Sequence, residues 1–234
     1  MHAGPRRQAA RNNNHIAAQA ACNERIIMRK SEIKRDTKET QIKLSLEIDG
    51  TGQYDIKTDC GFLKHMLELF ARHGRFDLAI DCTGDSYVDY HHTVEDIGIC
   101  MGQAFKEALG DKKGICRYGS MMLPMDEALV LSSLDISGRA FVNYDVVLPA
   151  MKVTDDAEET SPMKVGDFDT ELVKEFLLAF ARELGLTLHV KMFAGENTHH
   201  IIEAVFKGFA RALAKACAID ENFADEIPST KGVL

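Results

Sequence analysis

The sequence predicts an α+β fold built on an internal duplication, with helices on one face of each sheet. The tripeptide Phe-Ala-Arg occurs at 70–72 and again at 180–182. The pattern His-His-x-x-Glu begins at His91 and again at His199. Self-similarity at a fixed spacing indicates repeated structural units, and both halves mix strand-like with helix-like segments. We therefore expect two related repeats that together form one unit.

The repeats are expected to cover residues 31–122 and 123–234, after an N-terminal extension at 1–30. This extension carries six basic side chains and one acid, so residues 31–234 have a formal charge of −13, against −8 for the whole chain. It lacks the apolar segment of a secretory signal. We expect a disordered extension, with an organelle-targeting role for residues 1–27 as the weaker alternative.

Periodicity predicts the elements of each repeat. Alternating apolar and polar residues at 41–48 and 53–58, around a Gly-rich turn at 49–52, predict a hairpin. The same pattern at 128–136 and 139–148 predicts a second one. Each half is thus expected to run hairpin, helix, strand, helix. The remaining predicted elements are helices at 62–73, 93–109, 169–184 and 198–215 and strands at 76–82 and 186–193.

Composition excludes several classes of protein. No apolar run approaches the roughly 20 residues that span a bilayer, which excludes a membrane protein. The acidic charge of the repeats argues against nucleic-acid binding. The six cysteines contain no CxxC pair, so we expect reduced thiols and a cytoplasmic protein.

The two His-His-x-x-Glu motifs indicate a metal site. On a helix the first histidine and the glutamate are four residues apart and share a face. Imidazole together with carboxylate suits a divalent ion such as Mn, Fe or Zn. His65, on the preceding helix, is a further candidate ligand, and the offset of 110 makes Glu175 its equivalent in the second half. Taken alone, Glu175 is better explained as a solvated helix charge.

A set of basic and hydroxyl side chains is suited to an anion. Near the C-terminus, Ser229 and Lys231 stand beside a glycine, a combination that suits phosphate. Arg117, Arg139 and Lys207 are further candidates. From the residues alone, each cation is also consistent with a solvated surface charge.

Over residues 28–234 the sequence resembles the imidazoleglycerol-phosphate dehydratase family. This resemblance implies a carbon-oxygen lyase of histidine biosynthesis, which removes water from D-erythro-imidazoleglycerol phosphate to give imidazole acetol phosphate. It also implies a duplicated fold like domain 2 of ribosomal protein S5. The segments that carry the resemblance are RDTKET (35–40), GFLKHML (61–67), HHTVEDIGI (91–99), GICRYG (114–119), PMDEAL (124–129), DISGR (135–139), GDFDTELV (166–173), GENTHHIIEAVFK (195–207) and IPSTKG (227–232).

The resemblance further implies two Mn(2+) ions per subunit and a homo-oligomer of 24 subunits whose metal sites are shared between subunits. One family ligand, a histidine in many members, falls on Glu175, and a polar phosphate contact of some members falls on Leu69. The implied metal ligands are His65, His91, His92, Glu95, Glu175, His199, His200 and Glu203. The implied catalytic residues are Glu39, Glu95 and Glu203. The implied substrate-binding residues are Glu39, Arg117, Arg139, Lys207, Ser229 and Lys231.

The implied reaction explains why two metals are needed. The hydrogen lost from the carbon beside the imidazole is not acidic, because no carbonyl neighbours it. Divalent metals on the ring nitrogens would favour an imidazolate by Lewis acidity, and the imidazolate could expel the hydroxyl group. Two other functions use the same ligands. A dinuclear metallohydrolase would release phosphate or an amine, and a non-catalytic metal-binding assembly would bind metal without turnover.

Overall fold

The computed structural model describes residues 29–149 and 164–234. Within these residues, no helix is long and apolar enough to cross a membrane. The first half contains β1 (Lys30–Asp36), β2 (Thr40–Glu47), β3 (Tyr54–Lys57), α1 (Gly61–Gly74), β4 (Asp77–Gly84) and α2 (His91–Leu109). The second half contains β5 (Tyr118–Met125), β6 (Ala128–Asp135), β7 (Phe141–Asp145), β8 (Lys164–Val165), β9 (Phe168–Asp169), α3 (Leu172–Leu184), β10 (Thr187–Ala194) and α4 (Thr198–Cys217).

Each half forms a four-stranded sheet with the same strand order. The first sheet runs β1-β2-β4-β3, and the second runs β5-β6-β10-β7. In both sheets the strand in third position is antiparallel to the second strand and parallel to the fourth, which forms one edge of the sheet. The short strands β8 and β9 form a separate pair before α3. The matching order and direction confirm the predicted duplication.

The predicted strands at 41–48 and 53–58 exist, but the predicted hairpin between them is wrong. β2 pairs with β1 and β4, whereas β3 joins the far edge of the sheet, parallel to β4. The hairpin predicted for 128–136 and 139–148 is wrong for the same reason, because β10 lies between β6 and β7. Alternation of apolar residues identifies a strand but carries no information on its partner. The hairpins of the structure are β1–β2 and β5–β6.

The predicted helices are confirmed, with small shifts at their ends. α2 begins at His91, and α3 begins at Leu172 because the preceding Asp169 belongs to β9. Each helix buries one apolar stripe against a sheet. The N-terminal extension lies outside the described residues up to position 28, as does Cys22, and the five cysteines of the described residues are free thiols.

Each helix of the first half packs against a helix of the second half. α1 packs on α4, and α2 packs on α3, so each helix pair contains one helix from each half. Phe70, Phe105, Phe180 and Phe209, one from each helix, meet in a buried cluster with ring centroids 5.1–6.4 Å apart. The exchange brings residues of the first half next to motifs of the second.

Candidate metal centre

Three candidate ligands converge where α1 packs on α4. Glu203 Oε1 lies 3.1 Å from His65 Nε2 and 3.2 Å from His199 Nε2. The three ligand atoms lie within 4.8 Å of one another, and no other such group of three or more occurs among residues 29–149 and 164–234. His65 comes from the first repeat, whereas His199 and Glu203 come from the second motif. The exchanged helix pairing therefore assembles this cluster.

The start of α4 fixes the position of the second motif. The Asn197 side chain accepts hydrogen bonds from the backbone N–H groups of His199 at 2.9 Å and His200 at 3.3 Å. This capping satisfies donors that a helix start leaves free. His199 is thereby held in the first turn, and Glu203 follows one turn later on the same face.

The Glu203 carboxylate is buried but remains ionised. Burial raises its pKa, but the hydrogen bond that Lys207 donates to Oε2, together with those shared with His65 and His199, brings the pKa down to about 2. The Glu203 side chain is 9% exposed and that of Lys207 is 13% exposed. The cluster thus places an anionic carboxylate oxygen beside two imidazole rings.

This donor set fits a divalent metal. Ligand atoms about 2.1 Å from one ion and at right angles stand about 3 Å apart, which agrees with the two distances from Glu203 Oε1. The side chains supply nitrogen and oxygen without thiolate, a mixture that suits Mn, Fe or Zn. The arrangement can bind a Lewis acid through three side chains.

The second histidine of each motif faces a carboxylate that the sequence analysis did not select. Asp85 accepts from His92 Nδ1 at 3.0 Å, and Glu127 accepts from His200 Nδ1 at 2.8 Å. These bonds raise the pKa of both histidines, and the bond from His200 holds the pKa of Glu127 at about 2. Glu127 is 73 positions from His200, but it lies inside the PMDEAL segment that carries the family resemblance, and this is the signal that could have found it. Asp85 lies seven positions before His92, so a search for acids close to the first motif would have found it.

Glu39 lies on the other side of His92. One of its carboxylate oxygens is 3.8 Å from His92 Nε2, and its side chain is 55% exposed. It lines a cleft of about 220 Å³ together with Asp85 and Tyr87. An exposed carboxylate at an open cleft is available to a bound molecule.

The first motif and Glu175 do not form a three-residue cluster in the described residues. His91 donates its backbone N–H to Asp89, and Glu95 lies 3.8 Å from Arg182. Glu175 is half-buried in the first turn of α3, as His65 is in α1.

Close packing of two helices brings Glu175 to the start of α2. A Cβ on Gly98 would lie 2.8 Å from the Phe176 carbonyl oxygen, and one on Gly102 would lie 2.6 Å from that of Phe180. Because both contacts advance by four residues, α2 and α3 run in the same direction. Glu175 therefore lies beside the first turns of α2.

Most of the candidate phosphate residues lie far from the cluster. Arg117 donates from Nε to Asp135 at 2.7 Å and from Nη1 to the Pro228 carbonyl at 2.7 Å. Arg117 directly precedes β5, and Glu127 lies in the turn that follows β5. A strand of this length spans about 25 Å, so the two residues lie at opposite ends of the sheet. Arg139, Ser229 and Lys231 share the Arg117 end.

Lys207 and Leu69, the two remaining positions linked to phosphate binding, lie elsewhere. Lys207 lies beside the cluster, because it is one helical turn from Glu203 on α4. Leu69 packs against the core, so it offers no polar contact.

Comparisons with known proteins agree on one family. Residues 58–213 match the family model described as imidazoleglycerol-phosphate dehydratase. The chain is 53% identical over 207 residues to the imidazoleglycerol-phosphate dehydratase of Xanthobacter autotrophicus, covering 88% of this chain and 99% of that one. It is 55% identical over 206 residues to that of Geobacter sulfurreducens, with the same coverage.

Solved structures give the same result. The dehydratase structure from Staphylococcus aureus matches with a TM-score of 0.69 at 41% identity, over 82% of this chain and 99% of that one. The structure from Pyrococcus furiosus matches with a TM-score of 0.70 at 40% identity, over 86% of this chain and all of that one.

Proposed function

The chain belongs to the imidazoleglycerol-phosphate dehydratase family, and from this premise we propose how its residues divide the work of the reaction. It is a hydro-lyase of histidine biosynthesis, which converts D-erythro-imidazoleglycerol phosphate to imidazole acetol phosphate. The observation that carries the proposal is the cluster of His65, His199 and Glu203. A metallohydrolase or a non-catalytic metal-binding assembly is not favoured, since the relatives and solved structures described above are dehydratases.

We propose that the chain binds two manganese ions. His65, His199 and Glu203 would hold one, supported by their distances. The first motif would contribute to the other together with Glu175, supported by the position of Glu175 beside the start of α2. When bound, manganese would favour the imidazolate form of the substrate ring by Lewis acidity. The full proposed ligand set is His65, His91, His92, Glu95, Glu175, His199, His200 and Glu203.

Glu39 is proposed as the acid/base that moves a substrate proton. Its carboxylate is exposed, lines the cleft beside His92 and lies 3.8 Å from His92 Nε2. A general base must come within hydrogen-bond reach of the proton that it moves, and this cleft gives a small substrate access to it. Glu95 and Glu203 take part as metal-binding carboxylates.

Arg117, Arg139, Lys207, Ser229 and Lys231 are proposed to bind the substrate phosphate and fix its orientation. Four of them lie about 25 Å from the turn beside His200, which is longer than one small substrate. A complete site would therefore need groups from more than one copy of the chain. This supports a homo-oligomer, for which we propose 24 subunits with metal sites shared between them.

The remaining proposals concern boundaries and location. We propose that the two repeats act as one catalytic unit in a cytoplasmic enzyme. The boundary expected between residues 122 and 123 falls inside β5, so the second repeat begins earlier, with this strand at Tyr118. The five free cysteines in the described residues, four of them buried, are consistent with a reducing compartment.

A dehydratase assay tests the proposal directly. The protein would be stripped of metal with a chelator and then given manganese and imidazoleglycerol phosphate, and ketone formation, metal content and particle mass would be recorded. Manganese-dependent ketone formation by a large particle is the expected result. Full activity of the stripped protein, or of a particle with the mass of one chain, would contradict the proposed cofactor or the shared site.

A further inference from the structure

In both repeats the second histidine of the motif donates a hydrogen bond from Nδ1 to a carboxylate. His92 donates its Nδ1–H to Asp85, at 3.0 and 3.2 Å from the two carboxylate oxygens. His200 donates its Nδ1–H to Glu127 Oε2 at 2.8 Å. In both rings this bond leaves the Nε2 lone pair free to bind a metal.

The two carboxylates are themselves held in place. Asp85 directly follows β4 and its side chain is 12% exposed. Glu127 Oε1 accepts the backbone N–H groups of Asn197 at 2.8 Å and Glu196 at 3.3 Å. These donors lie in the loop before α4, so Glu127 connects the β5–β6 turn to the start of the helix that carries His200.

The duplication makes Glu127 the counterpart of Glu39, yet the two carboxylates do different things. Glu39 directly precedes β2, and Glu127 directly precedes β6. Glu127 takes the Nδ1–H of His200, whereas Glu39 lies on the Nε2 side of His92, at 3.8 Å. In the first repeat Asp85 already accepts the Nδ1–H, so Glu39 is free of that role.

We propose that Asp85 and Glu127 are positioning residues that orient His92 and His200 for metal binding, and that Asp85 thereby releases Glu39 for substrate chemistry. This inference rests on the proposed function, since it requires that the two histidines bind manganese. It identifies two residues outside the ligand set and gives a physical reason why the acid/base occurs in only one repeat. In the second repeat the equivalent carboxylate is committed to its histidine.

Manganese titration of the metal-stripped, full-length protein by calorimetry tests the inference. Asp85→Ala and Glu127→Ala remove the acceptor and should weaken manganese binding by about 10- to 100-fold. Asp85→Asn and Glu127→Gln keep a neutral acceptor of the same size and should weaken binding less, by about fivefold. The matched controls are Asp81→Asn and Glu196→Gln, which remove exposed acids nearby in each repeat and should bind as the unmodified protein does.

A second comparison tests the division of labour. Glu39→Gln should lower turnover and leave manganese affinity unchanged, whereas Glu127→Gln should lower manganese affinity. Particle mass and thermal unfolding without metal show whether each variant assembles. If an alanine variant does not assemble, the Asn and Gln variants decide.

The outcomes separate the two proposals. Manganese affinities within about twofold of the controls in every assembled variant would overturn the positioning role. An equal loss of affinity in Glu39→Gln and Glu127→Gln would overturn the division of labour. If the unmodified protein binds no manganese, the proposed cofactor fails instead.

Discussion

Glu203 Oε1 lies 3.1 Å from His65 Nε2, although the two residues are 138 positions apart and belong to different repeats. The contact exists because α1 packs on α4, the last helix of the other repeat. The His65 ring and the second motif thus share one site. Its integrity depends on the packing of the two halves as much as on the motif itself.

Glu203→Gln should remove most of the manganese affinity of this site. The substitution keeps the size of the side chain but replaces an anionic ligand by a neutral one that also loses the pairing with Lys207. The loss of manganese affinity should exceed about 100-fold, the upper value typical for residues that only hydrogen-bond to a metal ligand. Metal content after dialysis, measured by elemental analysis, checks this, with the exposed Glu107→Gln as control. A variant that retains both ions would exclude Glu203 as a ligand.

Glu175→Ala should lower the manganese content from two ions per chain towards one, because we propose Glu175 as a ligand of the ion that the first motif holds. Its neighbour Phe176 packs against Gly98 of the helix that carries this motif. Glu175→His should restore the second ion, since imidazole replaces carboxylate at such sites. Metal analysis of the assembled particles is the measurement. Two tightly bound ions in the alanine variant would show that Glu175 is a solvated helix charge.

Glu39→Gln should reduce turnover by about 10²- to 10⁴-fold, the usual contribution of an acid/base group. The side chain is exposed and makes no ion pair shorter than 3.8 Å in the described residues, so folding and assembly should be unchanged. Steady-state kinetics with saturating manganese checks this, with Lys38→Gln in the same turn as control. Normal turnover would exclude the acid/base role.

Lys231→Ala should raise KM for the substrate by about 10- to 100-fold, because a charge-assisted bond to phosphate is lost. Manganese content should stay the same, since Lys231 lies at the far end of the second sheet from the cluster. Kinetics and metal analysis are compared with Lys215→Ala, an exposed lysine of α4. Loss of metal in place of a KM effect would remove Lys231 from the phosphate role.

Asp77→Asn should destabilise the protein by about 1 to 2 kcal/mol at neutral pH. Burial raises the pKa of Asp77, but backbone N–H groups of Gln53 and Thr51, donating at 2.8 and 2.7 Å, outweigh it and hold the pKa below its ordinary 3.8. The stabilisation is therefore complete above pH 3.8 and is lost as the pH falls through the folded-state pKa.

Urea denaturation of metal-free protein at several pH values checks the Asp77 prediction. The difference between the two proteins should be largest near neutrality and should shrink as the pH falls below 3.8 and through the lowered pKa of the folded state. A difference that stays constant over this range would show that the carboxylate charge makes no contribution.

The sequence predicted the elements well and their pairing poorly. The helix predicted at 93–109 begins only two residues earlier, at His91, because apolar spacing reports directly on helix formation. The strand at 53–58 was also found, but its parallel partner β4 lies beyond the intervening helix α1. Strand partners are chosen by long-range packing, which a local pattern does not contain.

Within the site, the ligand types could be predicted but not all of their neighbours. The spacing of His199 and Glu203 places them on one helical face in any context. Asp85 follows β4 and accepts a hydrogen bond from His92, a contact that depends on the conformation of the intervening turn and does not follow from the spacing of the two residues. The prediction missed it for that reason.

The sequence by itself determined the duplication and the two His-His-x-x-Glu motifs, because residue type and helical period are local properties. Only the tertiary structure decided that His65 meets Glu203 and that Glu39 and Glu127 have separate contacts. The physical reason is that helix pairing depends on the shape of whole surfaces. At Gly98 and Gly102, for example, the missing side chains let the backbone of α3 approach α2 closely.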